Sequence, residues 1–183
     1  MTSNREEQRG FSLIELVTVA TIILILAAIA VPQLLSVTYT WRLRGAATDL
    51  GGLIQQARML AEKQNTALPV YTGSVETNAQ GAFIGTSGST WTAGEPDVPY
   101  GGGVSNGAAA SAPAGLSPGF TPEAAGTTLY LSARGLPAKA SGSTFVPSNG
   151  VIFYLRDTHG NWSAVSVTGA GRTKVWTWSG AWH

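Results

Sequence analysis

The chain has 183 residues, enough for a short leader, an anchor and one modest globular domain but not for two large domains. Only 11% of the residues are charged and the formal net charge is +1, so bulk electrostatics does not select nucleic acid as a partner. The chain contains no cysteine and only two histidines. This excludes a disulfide and a thiolate metal site, and it disfavours a metal site or catalytic triad built on histidine.

The N-terminal region joins a short polar segment to a long apolar run. Residues 1–10 are polar and charged, and the apolar run that follows extends through Val31 and Pro32. A helix over residues 11–31 would be roughly 30 Å long, the thickness of the hydrocarbon core of a bilayer. A cut after residue 10 would leave the run in the mature chain, whereas a secretory signal is cut beyond its apolar core. Residues 11–32 are therefore predicted to form a transmembrane helix.

Glu15 is the only charged residue in this apolar run. A lone carboxylate in hydrocarbon is energetically costly. Either the segment is a defective anchor, or another molecule supplies a partner for the carboxylate. The second interpretation favours a subunit that assembles within a membrane.

The run GFSLIEL at residues 10–16, followed by an apolar stretch ending near Pro32, resembles the class III signal of type IV pilins and pseudopilins. The resemblance implies that a membrane-embedded prepilin peptidase removes the leader, residues 1–10, by cutting after Gly10. It implies that the new N-terminal residue, Phe11, is then N-methylated. It also implies that Glu15 pairs with the N-terminal amine of a neighbouring subunit during assembly, which would satisfy the buried charge.

The same resemblance implies a location and a set of partners. The chain is expected to cross the bacterial inner membrane once, with its head in the periplasm, and then to enter a pilus or pseudopilus filament. Its expected partners are the prepilin peptidase, other pilin or pseudopilin subunits through the N-terminal helix, and inner-membrane lipid before assembly. The head is expected to meet secreted substrate or DNA.

Residues 33–64 are predicted to form the amphipathic half of the same helix, which ends near Lys63. Apolar residues recur at three- and four-residue spacing and form one stripe. The stripe comprises Leu43, Ala46, Ala47, Leu50, Leu53, Ile54, Ala57, Leu60 and Ala61, and the polar face carries Arg44, Asp49, Gln55, Arg58, Glu62 and Lys63. The stripe predicts packing against a β-sheet formed by the rest of the chain.

Residues 65–183 are predicted to form a β-rich head. The predicted strands are 67–72, 81–84, 127–132, 151–156, 162–168 and 172–178, with 151–156 and 162–168 forming a hairpin around a five-residue loop. Pro69 favours an edge position for the first strand. Residues 85–126 are rich in Gly, Ala, Ser, Thr and Pro and predict a long flexible insertion, with Trp91, Tyr100 and Phe120 as contacts to the head.

Two segments of the head resemble the GspH/FimT group of minor pilin-like proteins. The first is the helix end QARMLAEKQN at residues 56–65, which is followed by a strand. The second is GAGRTK at residues 169–174, which follows a strand pair. The resemblance implies an α+β fold in which a long N-terminal helix packs on a head of antiparallel sheets. The cysteine-closed loop usual in major pilins is absent, and the sequence near the C-terminus has no cluster of acids that could hold calcium.

No catalytic constellation is evident in the sequence. Asp157 and His159 are interpreted as turn-forming residues in solvent, and Gly101–Gly103 lacks the context and the lysine of a phosphate-binding loop. The chain is therefore expected not to be an enzyme and to bind no metal or cofactor.

Beyond residue 125 basic residues outnumber acidic ones. Arg172, Lys174, Trp176 and Trp178 are spaced by two and are predicted to share one strand face. Cations beside aromatic rings can hold a nucleic-acid backbone and stack on bases. Some FimT-like minor pilins are implicated in DNA uptake, and their Gly-Arg-x-Arg element resembles GRTK at residues 171–174, where lysine replaces the second arginine. Alternatively, the two tryptophans pack in the head or on a neighbouring subunit, and the cations extend into solvent.

Two functional hypotheses follow. The first is a minor pilin or pseudopilin that acts as a structural subunit of a type IV pilus or of a type II secretion pseudopilus. The alternative is a pilus-associated DNA-binding minor pilin that acts in natural transformation.

Overall fold

The computed structural model describes residues 12–76, 79–86, 88–122, 124–125 and 128–183. The predicted leader and the Gly10–Phe11 junction lie outside these residues. Helix α1 runs from Leu13 to Gln64 and passes through Pro32 without a break. By internal contacts the chain divides into two compact units, one ending at Thr38 and the other, the head unit, running from Tyr39 to His183.

The C-terminus of α1 lies where the sequence predicts it, within one residue. Asn65 adopts a left-handed backbone conformation, with φ of 50°. Its N–H donates to the carbonyl of Glu62 at 3.3 Å, and the N–H of Thr66 donates to the carbonyl of Ala61 at 3.2 Å. This pair of bonds is a Schellman motif, which satisfies carbonyls that the end of a helix leaves unpaired.

The described residues form eleven strands after α1. They are β1 (Leu68–Val75), β2 (Ala79–Ile84), β3 (Asp97–Pro99), β4 (Val104–Gly107), β5 (Ala124–Ala125), β6 (Thr128–Leu131), β7 (Pro137–Ser141), β8 (Thr144–Pro147), β9 (Gly150–Asp157), β10 (Trp162–Thr168) and β11 (Thr173–Thr177). The first sheet has the order β3-β2-β1-β6-β7-β8, and the second has the order β11-β10-β9-β4. All pairings are antiparallel except that of β5 with β9. The predicted α+β architecture is confirmed.

The core lies between the second half of α1 and both sheets. It takes the predicted apolar stripe from the helix, with Leu60 only partly buried. The first sheet contributes residues such as Val70 and Leu129, and the second contributes Phe153 and Val165. Alternate strand residues face the helix, and each large apolar side chain stabilises the fold by about 1.5–3 kcal/mol when fully buried.

The prediction that Pro69 marks an edge strand is wrong, because β1 lies inside the first sheet between β2 and β6. The carbonyl of Pro69 accepts a hydrogen bond from the N–H of Gly85 at 3.0 Å, one residue beyond the end of β2. A residue in an antiparallel strand directs its N–H and C=O to the same side. The missing donor of Pro69 therefore faces the end of β2, where pairing stops, and the pairing with β6 is undisturbed.

Part of the segment 85–126, which is predicted as a long flexible insertion, forms strands. Within this segment β3 extends the first sheet and β4 extends the second. Tyr100 and Val104, between and within these strands, are buried in the core. Tyr100 thus anchors the segment as predicted, and the partly buried ring of Phe120 lies against Gly150 of β9. Trp91 is partly buried. The two strands are short and depend on packing against the sheets, so residue composition alone does not reveal them.

Candidate assembly helix and C-terminal groove

Glu15 lies in the first turn of α1 among exposed apolar side chains. Leu13, Ile14 and Leu16 are 81%, 66% and 64% exposed. The carboxylate therefore lies on an apolar surface whose exposure to water is unfavourable. The backbone carbonyl of Glu15 accepts a hydrogen bond from Thr18 Oγ1 at 2.9 Å. A carboxylate near a helix N-terminus interacts favourably with the helix dipole, but only modestly.

A cavity of about 630 Å³ opens at the end of the second sheet, beside α1. Three cationic side chains line it, namely Arg58 from α1, Arg172 from the β10–β11 turn and Lys174 from β11. None of the described residues that line this groove is acidic. Its electrostatics therefore favours an anionic group.

Arg58 joins α1 to a turn in each sheet. Its Nε donates to the carbonyl of Gly135 at 2.9 Å, and its Nη2 donates to the carbonyl of Gly171. Gly135 and Gly171 have φ of 68° and 78°. A Cβ at either position would overlap the Arg58 side chain, so both turns need glycine for space as well as for conformation. The sequence pattern places Arg58 on the exposed face of the helix, but the structure places it partly buried between the turns.

Lys174 and Trp176 contact each other on one face of β11. The Nζ of Lys174 lies 3.4 Å from the centroid of the Trp176 ring, a cation–π contact. The Trp176 indole N–H donates to Ser166 Oγ at 2.7 Å. One face of the ring predicted to stack on a base is therefore occupied by Lys174, and its polar atom is bonded within the head.

Trp178 does not line the groove. Its ring lies 5.4 Å from that of Trp182 by centroids, and Trp182 in turn lies 6.1 Å from Tyr154. The indole N–H of Trp182 donates to the carbonyl of Pro113 at 3.1 Å, and desolvation by burial raises the pKa of Tyr154. The structure thus brings Arg172, Lys174 and Trp176 together at the groove and places Trp178 in a separate aromatic cluster.

The loop between β9 and β10 makes contacts that its sequence does not indicate. The ring of His159 stacks on that of Tyr39 from α1, with centroids 3.8 Å apart and planes inclined by 24°. Asp157 is buried, and one of its oxygens accepts hydrogen bonds from the N–H groups of His159 and Asn161 at 2.8 and 2.9 Å. The interpretation as solvent-exposed turn residues is therefore wrong for Asp157, whereas His159 is exposed as expected but stacks on Tyr39. They form the turn, and the turn packs against the helix.

Comparison with known proteins bears on the N-terminal segment. Residues 7–31 match the model of the prokaryotic N-terminal methylation motif. The chain is pilin-like. The matched span contains the predicted cleavage junction, Glu15 and most of the apolar run, and it lies wholly outside the head unit.

The fold and the whole sequence were compared as well. The crystal structure of the type IV minor pilin FimU from Pseudomonas aeruginosa (strain PAO1) matches with a TM-score of 0.44 and 20% sequence identity, over 73% of this chain and 87% of that chain. No curated protein matches the sequence.

Proposed function

We propose that this pilin-like chain is a minor pilin or pseudopilin, a structural subunit of a type IV pilus or of a type II secretion pseudopilus. The observation that carries the proposal is the methylation motif over residues 7–31, whose residues from Leu13 onward belong to an exposed apolar helix. The helix is long and apolar enough to cross a membrane. The chain is inserted once in the bacterial inner membrane with the head unit in the periplasm, and it then enters a filament.

Processing at the Gly10–Phe11 junction is the first step of this proposed pathway. A prepilin peptidase cuts after Gly10, and Phe11 becomes the methylated N-terminus. Glu15 then pairs with the Phe11 amine of a neighbouring subunit. This pairing explains why one carboxylate is placed among apolar residues, since a buried charge needs an opposite charge close by.

Gly10→Ala tests the processing step. The wild-type chain, expressed with a prepilin peptidase, should lose residues 1–10 and gain one methyl group by intact mass. Gly10→Ala should keep its leader, because the side chain obstructs the junction. The matched control is Gly45→Ala, which changes a glycine whose added Cβ would meet nothing within 4 Å. A Gly10→Ala chain that is processed as well as the control would contradict the cleavage assignment.

A further experiment separates the two filament types. Deleting the gene and measuring protein secretion and pilus formation in the same strain assigns the subunit to the process that fails. If the deletion strain keeps both protein secretion and pilus formation, the chain has no required role in either machine and the proposal is contradicted.

The groove supports a second candidate function, binding of DNA in natural transformation. Arg58, Arg172 and Lys174 supply three cations around a cavity of about 630 Å³, where they could contact phosphates. Because Trp176 is covered by Lys174 on one face and Trp178 packs on Trp182, the candidate rests on phosphate contacts rather than on base stacking.

Salt dependence tests this candidate. If Arg172 and Lys174 contact phosphates, changing both to Ala should make the plot of log K against log salt for duplex DNA less steep, by about two units of slope. The control is Arg134→Ala, an exposed cation that does not line the groove. The full chain is assayed in detergent. If it does not bind DNA at low salt, or if the Arg172→Ala/Lys174→Ala variant has the same slope as Arg134→Ala, the DNA hypothesis is contradicted and the filament hypothesis is unaffected.

A further inference from the structure

The first turn of the head unit exposes a large aromatic residue on α1. Trp41 is 72% exposed, a high value for a tryptophan in a folded unit. At about 100° per residue, Trp41 lies on the side of the helix opposite Leu43 and Leu50, which belong to the core. The indole therefore points away from the head.

Two exposed arginines flank Trp41 on the helix. Arg42 and Arg44 lie on either side of it in the helical projection, at about +100° and −60°. The Arg42 guanidinium lies 5.9 Å from the centroid of the Tyr39 ring, and that ring is held by its stack on His159. The β9–β10 loop thus supports the ring that the Arg42 guanidinium approaches.

Residues 33–40, none of them charged, separate Trp41 from the predicted membrane-spanning segment. No charged residue lies between Glu15 and Arg42, and residues 33–40 mix polar with apolar side chains. At about 1.5 Å per residue, the helix from Leu13 to Trp41 is roughly 42 Å long, which is the thickness of a bilayer with its headgroup layers. Tryptophan collects at this level in membrane proteins, and arginine there attracts anionic lipid.

We propose that Trp41, Arg42 and Arg44 form an interfacial anchor that binds the headgroup layer of an anionic phospholipid bilayer where α1 leaves the membrane. The indole body lies in the headgroup layer, and the two guanidinium groups contact lipid phosphates. The anchor fixes the depth of the subunit in the bilayer. The inference rests on the proposed membrane insertion of α1 and does not depend on assembly into a filament.

Depth-dependent quenching tests the indole. The full chain is reconstituted in phosphatidylcholine–phosphatidylglycerol vesicles that contain lipids brominated either near the headgroup or near the chain end. The difference between wild type and Trp41→Phe isolates the emission of Trp41. We expect this component to be quenched by bromines near the headgroup and little by bromines near the chain end.

Equal fractional quenching of wild type and Trp41→Phe would overturn the proposal. Extraction by alkaline carbonate separates this failure from failure of membrane insertion. A chain that stays in the pellet but shows no Trp41 quenching contradicts only the anchor. A wild-type chain that is extracted contradicts the membrane anchoring as well.

Lipid selectivity tests the arginines. The preference of the reconstituted chain for spin-labelled phosphatidylglycerol over phosphatidylcholine should fall in Arg42→Gln/Arg44→Gln, by up to about fivefold per arginine, since a surface cation contributes about 1 kcal/mol. The matched control is Arg134→Gln/Arg156→Gln, which removes two exposed head cations and should leave the preference unchanged. A preference equal in the two double variants would overturn the role of Arg42 and Arg44.

Discussion

At the residue scale, Arg58 connects the helix to a turn in each sheet of the head. One guanidinium bonds the carbonyls of Gly135 and Gly171, which belong to turns in different sheets. The sequence shows two Gly-containing turns and a helical arginine, but nothing in their spacing predicts that they meet. The contact depends on the tertiary fold, because it joins positions that are distant along the chain. The same limit applies to His159, whose stack on Tyr39 has no local signal.

Arg58→Ala should destabilise the head. The substitution removes two charge-assisted hydrogen bonds and leaves two partly buried carbonyls unpaired, so the free energy of unfolding should fall by about 2–4 kcal/mol. The free energy of unfolding of Arg58→Lys should lie between those of wild type and Arg58→Ala, because an ammonium group cannot reproduce the planar, forked donor geometry of a guanidinium. Urea unfolding of the full chain in detergent, followed by tryptophan fluorescence, measures the change. The control is Arg44→Ala, an exposed cation on the same helix, and an equal effect of the two alanine variants would refute the role of Arg58.

At the element scale, periodicity predicts what is long and regular. The stripe on α1 and the β9–β10 hairpin are confirmed. Apolar residues recur at the helical period over several turns of α1, and they alternate along both strands of the hairpin. The β7–β8 hairpin has no such alternation, since its strands are short and mostly exposed. β3 and β4 escape detection for a related reason, since each places one apolar side chain in or against the core, Val98 from β3 and Val104 from β4.

The tyrosines of the first sheet and its β3–β4 connection give the head an alkaline limit. Burial, with a smaller contribution from a hydrogen bond to Tyr130, raises the pKa of Tyr71 to about 12, and burial raises the pKa of Tyr100. The unfolded chain ionises near the ordinary value of about 10, so it binds fewer protons than the folded chain above that pH. The tyrosines' contribution to stability is therefore complete below about pH 10 and is lost as the pH rises toward about 12.

Urea unfolding at a series of pH values from about 9 to about 12 should show the fall in the free energy of unfolding. The double variant Tyr71→Phe/Tyr100→Phe should lose less stability than wild type across the same window, because phenylalanine cannot ionise. Parallel decline of the two proteins would contradict the assignment to these tyrosines and would point to other groups, such as the lysines.

At the scale of the whole molecule, the N-terminal segment and the head unit give different kinds of information. The motif over residues 7–31 fixes the pilin-like character, and it could be predicted from the sequence because it is local and contiguous. The groove could be predicted only in part, since Arg172, Lys174 and Trp176 share a strand face whereas Arg58 arrives from the helix.

Glu15 is proposed as an assembly contact, and the incorporation of Glu15→Ala into filaments tests this role most directly. The variant should be processed normally. Its amount in isolated filaments should fall at least about tenfold, because loss of one partner of a buried ion pair costs about 3–5 kcal/mol. Thr21→Ala, which removes a hydroxyl that bonds only within the described helix, serves as the control and should incorporate like wild type. Incorporation of Glu15→Ala at the control level would contradict the claim.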